Sequence, residues 1–203
     1  MSNPLEVLQR IRAGGPGPQP VERCELCAEP IGHEHGHVVE VEQRTLLCSC
    51  RGCWLLFTAD GAGGGRYRAV PERYVSVGPL VVEPGAWEEL QIPISVAFFL
   101  RSSATGSVTA LYPSPAGATE SLLPLDAWDR LAAANQVLRS MVPDVEALLV
   151  RRDDHHDEAH LVPIDACYAL VGELRRTWKG FDGGPEARLA IDRCFQHLRE
   201  RGA

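Results

Sequence analysis

Five cysteines lie within thirty residues near the start of this chain, at Cys24, Cys27, Cys48, Cys50 and Cys53. Two pairs among them have the spacing C-x2-C, and about twenty residues separate the pairs. Two residues between cysteines let both sulfurs turn to one side of a tight turn, and two such turns can complete a tetrahedral shell of four thiolates. The spacing therefore predicts a small module that folds around a metal ion bound by Cys24, Cys27, Cys50 and Cys53.

Further donors in the same segment leave the ligand set open. Cys48 can replace Cys50 in the shell or remain a free buried thiol. His35 and His37 share one face of a predicted strand, with His33 just before it, and one of them can complete a shell of three cysteines and one histidine. Cys48, His35 and His37 are therefore additional candidate ligands.

The ligand type favours zinc in a structural role. Zinc accepts tetrahedral sulfur ligands, and a shell of four thiolates leaves no open position for chemistry. An iron–sulfur cluster is the alternative, because cysteine thiolates hold such clusters as well. A segment without any metal is a poor explanation, since five thiols so close together would be reactive.

Charge and segment composition exclude several classes of protein. The start of the chain lacks the basic and apolar regions of a signal peptide, and no apolar run approaches the roughly 20 residues of a membrane span. We therefore expect a cytoplasmic protein, in which clustered cysteines bind metal rather than form disulfides. The net charge is −7, and residues 21–75 carry more acidic residues than arginines, so a nucleic-acid partner is not expected.

Hydrophobic periodicity divides the chain into three parts. Residues 1–23 read as a short helix and a flexible linker rich in glycine and proline. Residues 24–75 form the cysteine-rich metal-binding module, of zinc-ribbon or treble-clef type, with a pair of strands between the two cysteine pairs. Residues 76–203 form an α+β domain of about four strands and three helices. The strands are expected near residues 93–101, 107–117, 144–152 and 160–164, and the helices over residues 123–141, 165–180 and 181–202.

Several individual positions carry their own expectations. Asp165 is predicted to cap the N-terminus of its helix. Cys167 and Cys194 lie on apolar helix faces and are predicted to be core residues. Asp144 and Glu146 alternate at a strand entry, which favours a solvated strand end over an acid–base pair.

Two surfaces of the module are also predicted. The strand that carries His35 and His37 should turn Val38, Glu40 and Glu42 largely toward water, because they lie on its opposite face. The aromatic and apolar run at residues 53–57 should pack the module against its neighbouring domain.

The sequence resembles an uncharacterised actinobacterial family in its final helix and in the stretches CELC, HEHGHVV, LLCSCRGCWLLF, IPISVAFF, YPSPAGATES, PDVEALLV and PIDACYALVGELRRTWKGFDGG. The resemblance runs from about Arg23 to the C-terminus. Members of that family are encoded in gene clusters for high-affinity nickel–iron uptake hydrogenases. The resemblance therefore implies a role in hydrogenase assembly, maturation or electron-transfer support, with a hydrogenase subunit or maturation factor as partner. It implies no catalytic residues.

The expected function combines this context with the motifs of the chain. The sequence contains no phosphate-binding P-loop, no GxGxxG loop after a strand, no HExxH and no GxSxG. We therefore expect a non-enzymatic zinc-binding accessory protein that acts through protein–protein contacts. The alternative is an iron–sulfur electron-transfer or metal-delivery protein that serves the same hydrogenase.

Overall fold

The computed structural model describes residues 21–80, 95–122, 125–152, 157–180 and 183–202. The predicted N-terminal helix and most of its linker fall on residues 1–20, outside the described residues. Within the described part of the chain, no helix is both long and apolar enough to cross a membrane.

The cysteine-rich segment forms a small antiparallel sheet with one short helix. Strand β1 (Gly36–Glu40) lies between β2 (Thr45–Ser49) and β3 (Tyr67–Ala69). Helix α1 (Arg51–Leu56) follows β2 directly, and a short 3₁₀ helix (Ala62–Gly65) leads into β3. The hairpin of β1 and β2 therefore separates the two cysteine pairs, as the spacing predicted.

Both faces of β1 are buried, which corrects the expectation that Val38 and Glu40 point to water, whereas Glu42, just after the strand, is exposed as predicted. Val38 is 0% exposed and Glu40 is 7% exposed. Arg66 offsets the cost of burying the Glu40 carboxylate, because its Nε donates a hydrogen bond to Glu40 Oε1 at 2.7 Å. A buried carboxylate needs such a partner. This arginine lies 26 residues further along the chain, so strand alternation could not indicate it.

A larger antiparallel sheet follows. Its strands are β4 (Val75–Pro79), β5 (Val96–Arg101), β6 (Val108–Ser114), β7 (Gly117–Leu122), β8 (Glu146–Arg152) and β9 (Asp157–Pro163). Among the described residues the order is β4-β9-β8-β5-β6-β7. The mixture of helices and sheets confirms the α+β class, but this sheet has six strands instead of about four.

The two strands outside the predicted set of four, β4 and β7, are the two edges of this sheet. The four interior strands correspond to the four predicted ones, and they contain long apolar runs; β5 buries every residue from Val96 to Leu100. Strand β7 has the sequence GATESL, which lacks a run of β-branched or aromatic residues. An edge strand is paired on one side only and often carries polar residues, so its sequence signal is weaker.

Helices cover both faces of the six-stranded sheet. On one face, α3 (Ile164–Thr177) and α4 (Gly184–Arg201) pack against side chains such as Phe98 and Leu149. On the other face, α2 (Leu125–Ala134) contributes to an apolar cluster that contains Phe99 and Leu148, among other side chains. The sheet therefore forms the central layer.

The predicted helix over residues 123–141 is interrupted at Asn135. The α2 segment ends at Ala134, and a 3₁₀ helix (Gln136–Ser140) follows. Asn135 has non-helical backbone angles, and its Nδ2 donates to Leu131 O at 2.9 Å. Asparagine side chains compete for backbone partners in this way, which disfavours a continuous helix.

The small sheet packs directly on the large one. Val39 and Val70 belong to the same buried apolar cluster as Phe98 and Leu149. Arg68 Nη1 also donates to Pro143 O at 3.0 Å. The two sheets therefore share one core, while the predicted division between residues 75 and 76 stays a prediction.

Candidate metal centre

The first cysteine pair lies on a tight turn before β1. Ala28 N donates to Cys24 O, and Cys24 N donates to Glu29 O, both at 2.8 Å. Ala28 has a positive φ of 63°, a conformation uncommon outside glycine. The turn brings the side chains of Cys24 and Cys27 to one place.

The second pair lies at the start of α1. Cys50 is the N-cap residue, and its Sγ accepts a hydrogen bond from Cys53 N at 3.4 Å. Trp54 N donates to Cys50 O at 2.9 Å and starts the helix. Because β2 ends at Ser49, the strand delivers Cys50 directly to this position.

Glu25 joins the two pairs. Its N–H donates to Cys48 O at 2.9 Å, and its Oε2 accepts a hydrogen bond from Cys48 N at 2.6 Å. The first turn is therefore attached to β2, the strand that leads to the second pair.

The structure brings the four predicted ligands together. The ligand atoms of Cys24, Cys27, Cys50 and Cys53 all lie within 4.8 Å of one another. The Sγ atoms of Cys27 and Cys50 are 3.7 Å apart. A tetrahedron with metal–sulfur bonds of about 2.3 Å has edges of about 3.8 Å, whereas a disulfide needs about 2.05 Å. The four cysteines, all free thiols, form a group that can bind one metal ion.

The thiols of this group influence one another. Burial raises the pKa of Cys24, but backbone hydrogen bonds from Cys50, Leu26 and Cys27 outweigh it and lower the pKa to about 6. Burial and hydrogen bonds with the other three thiols raise the pKa of Cys53. One thiolate is thus favoured and opposes the ionisation of its neighbours. A bound cation removes that repulsion, because metal binding replaces thiol protons.

Cys48, His35 and His37 form a second group, although the sequence suggested them as additional ligands of the same shell. Their ligand atoms lie within 4.8 Å of one another, and the two groups share no residue. Cys48 Sγ donates to Glu22 Oε1 at 3.7 Å. Burial, followed by the charges of Glu22 and Glu25, raises the pKa of Cys48 to about 11.

His37 contacts a carboxylate that sequence reasoning did not connect with the site. Its Nδ1 donates to Asp165 Oδ2 at 2.8 Å. Asp165 lies in the first turn of α3, and the N-cap residue is Pro163, so the predicted capping role of Asp165 is wrong. The two side chains are 128 residues apart in sequence, and no local pattern could have indicated their contact.

A groove of ≈ 920 Å³ lies beside both groups. Its lining combines residues of the small sheet and α1 with residues of the helices on the large sheet, among them His35, His37, Trp54, Asp165 and Arg201. The histidines of the second group are therefore next to a solvent-filled space.

Helix α1 packs on one side only. Trp54 Nε1 donates to Val70 O at 2.8 Å, and the Trp54 ring lies against Gly36. Leu55 and Leu56 are 53% and 67% exposed. The predicted packing of the run at residues 53–57 against the neighbouring domain is therefore wrong for the two leucines.

The carboxylates expected at a solvated strand end are buried instead. Asp144 is 6% exposed and Glu146 is 1% exposed. Arg73 donates to the two carboxylate oxygens of Glu146 at 2.7 and 2.8 Å, and Ser103 N donates to Asp144 Oδ1 at 2.8 Å. These partners come from distant parts of the sequence. They hold both carboxylates in structural contacts at the start of β8.

Of the two remaining cysteines, Cys167 is a core residue, as predicted, and Cys194 is partly buried. Cys167 is fully buried between α3 and the sheet, and Cys194 packs against the same cluster. Burial raises the pKa of both thiols, that of Cys194 to about 11. Neither belongs to a candidate metal group within the described residues.

A family model matches most of the chain. Described as a family of unknown function, DUF5947, it covers residues 23–202. No curated protein and no solved structure matches. The matched residues include both candidate metal groups and the whole six-stranded sheet.

Proposed function

We propose that the chain, which belongs to the DUF5947 family of unknown function, is a non-enzymatic accessory protein that binds one zinc ion and contacts a protein of nickel–iron hydrogenase assembly. The zinc ligands are Cys24, Cys27, Cys50 and Cys53. The observation that carries the proposal is the position of α1: its start supplies two of the four thiols, and its outer side exposes two leucines. The metal would therefore hold a protein-binding surface in place.

The geometry of the four thiols supports zinc. Four sulfurs within 4.8 Å suit a closed shell around a single ion. In an iron–sulfur cluster the cysteines bind different iron atoms and surround a larger body. Of the two predicted module types, zinc ribbon and treble clef, the order of elements supports the treble clef. A turn with the first cysteine pair is followed by a hairpin and then by a helix that starts at the second pair.

The outer side of α1 supports a docking role. Isolated exposed apolar residues are common on protein surfaces. Leu55 and Leu56, however, are adjacent and largely exposed on a helix that buries none of its residues. Contiguous apolar surface of this kind marks protein-binding sites.

The kind of partner follows from the resemblance of the sequence to proteins encoded with nickel–iron uptake hydrogenases. The partner would be a hydrogenase subunit or a maturation factor. The absence of catalytic motifs in the sequence is in keeping with a role in contact rather than in chemistry.

Elemental analysis and an absorption spectrum of protein purified without oxygen test the metal. After dialysis against a weak chelator, we expect about one zinc per chain and no visible band, because a closed shell releases its ion slowly. Iron with sulfide and a broad visible band would contradict zinc. That result would support the alternative of an electron-transfer or metal-delivery protein.

Co-purification from cells that express the hydrogenase gene cluster tests the docking surface. We expect the wild-type chain to retain a hydrogenase subunit or maturation factor and the double variant Leu55→Glu/Leu56→Glu to lose it. The matched control is Leu189→Glu, since Leu189 on α4 is 55% exposed. A wild-type chain that retains no hydrogenase protein would refute the partner. Retention by the double variant would refute the role of α1.

A further inference from the structure

We propose that His35, His37 and Cys48 form a second metal site, separate from the four-cysteine group, which binds a divalent ion of the zinc class and leaves one coordination position open. The inference does not depend on the hydrogenase partner or on the docking surface of α1. Four lines of structural observation support the bound ion, and the groove beside it supports the open position.

The strand pairing places the three donors together. His37 and Cys48 are directly opposite each other on the antiparallel strands β1 and β2. Side chains opposite each other in such a pair point to the same face of the sheet. His35 precedes His37 by two residues, which puts it on that face as well, and the two imidazole rings are 4.9 Å apart. The three ligand atoms therefore lie within 4.8 Å of one another.

Each histidine is oriented by a hydrogen bond from its Nδ1. His35 Nδ1 donates to Gly32 O at 2.8 Å, and His37 Nδ1 donates to Asp165 Oδ2 at 2.8 Å. Carbonyl and carboxylate oxygens only accept, so both rings carry the proton on Nδ1 and offer Nε2 as a donor to a metal. This arrangement is the usual one for histidines that bind metals.

The Nε2 atom of His35 is buried and has no hydrogen-bond partner among the described residues. A buried polar atom without a partner is costly and uncommon in native proteins. A metal ion bound between His35, His37 and Cys48 would satisfy this atom.

The surrounding charges favour a cation. Glu22 Oε1 lies 3.7 Å from Cys48 Sγ, and Glu25 Oε2 accepts a hydrogen bond from Cys48 N. Asp165 adds a third carboxylate behind His37. Two imidazoles and one thiolate form a donor set that suits zinc, cobalt or nickel better than calcium or magnesium.

The site leaves room for an additional ligand. Three protein donors leave one position of a tetrahedral ion open, as in zinc sites that exchange ligands. His35, His37 and Asp165 all line the groove of ≈ 920 Å³. The fourth ligand would therefore come from the groove, as water or as a small donor such as imidazole or a thiolate.

Zinc stoichiometry of the full chain, loaded under reducing conditions and freed of excess metal by gel filtration, tests the site. We expect about two zinc ions in the wild-type chain and about one in His35→Ala and in Cys48→Ala. The zinc that remains shows that these variants still fold. His33→Ala is the matched control and should keep two, because His33 lies in the same segment but outside the group. A wild-type stoichiometry of one, or a second zinc that persists in both ligand variants, would overturn the proposal.

Asp165→Asn separates a metal site from a merely structural histidine pair. Asp165 is a positioning residue, which accepts the hydrogen bond from His37 Nδ1 and so orients the ring. We expect the Asn variant to bind the second ion about 10- to 100-fold more weakly in a chelator competition. Binding of the first ion should not change. An unchanged affinity for the second ion would contradict the role of Asp165, and the assigned coordination of His37 with it.

Cobalt(II) as a probe tests the open position. Imidazole added to the chain loaded with two cobalt ions should shift the visible bands, because a new ligand changes the geometry of the second ion. The same addition to Cys48→Ala, which holds cobalt in the closed four-thiolate group alone, should cause no shift. Identical spectra with and without imidazole in the wild-type chain would refute the open position.

Discussion

The two sheets of this protein are stabilised by different means. The six-stranded sheet has apolar clusters on both faces, and β5 and β8 each contain five consecutive buried residues. The small sheet has a core on one side, where Val39 and Val70 meet the larger cluster. Its helix α1 buries none of its residues. The four thiols that the small sheet carries do not belong to that cluster.

This difference in stabilisation indicates how a small sheet with little apolar core can stay folded beside a large one. A segment of this size buries too little apolar surface to fold by itself, and metal binding commonly supplies the missing stability. The shared core and the ion pairs that join the two sheets then fix the small sheet on the large one. The two sheets should therefore respond to different perturbations.

Loss of a metal ligand should have the largest effect, and only on the small sheet. Cys24 is 2% exposed, and serine is a poor ligand for a soft metal site. In Cys24→Ser we expect β1 and β2 to lose hydrogen-exchange protection, because metal binding, which is worth about 10 kcal/mol in zinc-finger peptides, is weakened. Protection in β5 and β8 should persist. Cys194→Ser is the control, and unchanged protection in β1 and β2 would contradict the metal-dependent fold.

A cavity in the large sheet should have the next largest effect. Phe98 is 1% exposed and lies in the cluster between the sheet and α3. Phe98→Ala should lower the free energy of unfolding by about 3–5 kcal/mol, since it removes a large buried side chain. Chemical denaturation measures this, with the exposed Leu189→Ala as control. A loss below about 1 kcal/mol would show that this cluster does not carry the stability of the sheet.

Loss of an ion pair should have the third largest effect on stability. The burial of the carboxylate should decide how much each pair contributes. Arg73 pairs with Glu146, which is 1% exposed, whereas Arg44 pairs with Glu120, which is 50% exposed. Arg73→Met leaves a buried carboxylate without its cation and should cost about 3 kcal/mol. Arg44→Met should cost less than about 1 kcal/mol. Equal losses in denaturant titrations would show that burial does not control these contacts.

Contact of Trp54 with β1 should have the smallest of the four effects. A Cβ atom at Gly36 would lie 2.7 Å from Trp54 Cδ1. Gly36→Ala should therefore displace the indole ring and destabilise the small sheet by about 2 kcal/mol. Tryptophan fluorescence and hydrogen exchange would measure both changes. Gly32→Ala is the control, because a Cβ there meets no atom within 4 Å, and equal effects of the two substitutions would contradict the steric explanation.

The contrast between the sheets also explains which elements could be predicted. The interior strands of the large sheet were found because burial on both faces requires long apolar runs, such as that of β5. The edge strands β4 and β7 were not among the four predicted strands, because one-sided pairing imposes no such run. In the small sheet, the alternation of polar and apolar residues in β1 suggested one solvent-exposed face. Arg66, however, covers the carboxylate of Glu40 on that face.

The sequence by itself determined the two cysteine pairs and the α+β class. Both can be recognised from short-range patterns, namely the two-residue spacing of ligands and the periodicity of apolar residues. Tertiary structure alone decided that Cys48 lies opposite His37, because strand register depends on the folded hairpin. It also decided that Asp165, 128 residues away, supports His37, and that Arg73 neutralises Glu146. These contacts join residues that become neighbours only when the two sheets pack together.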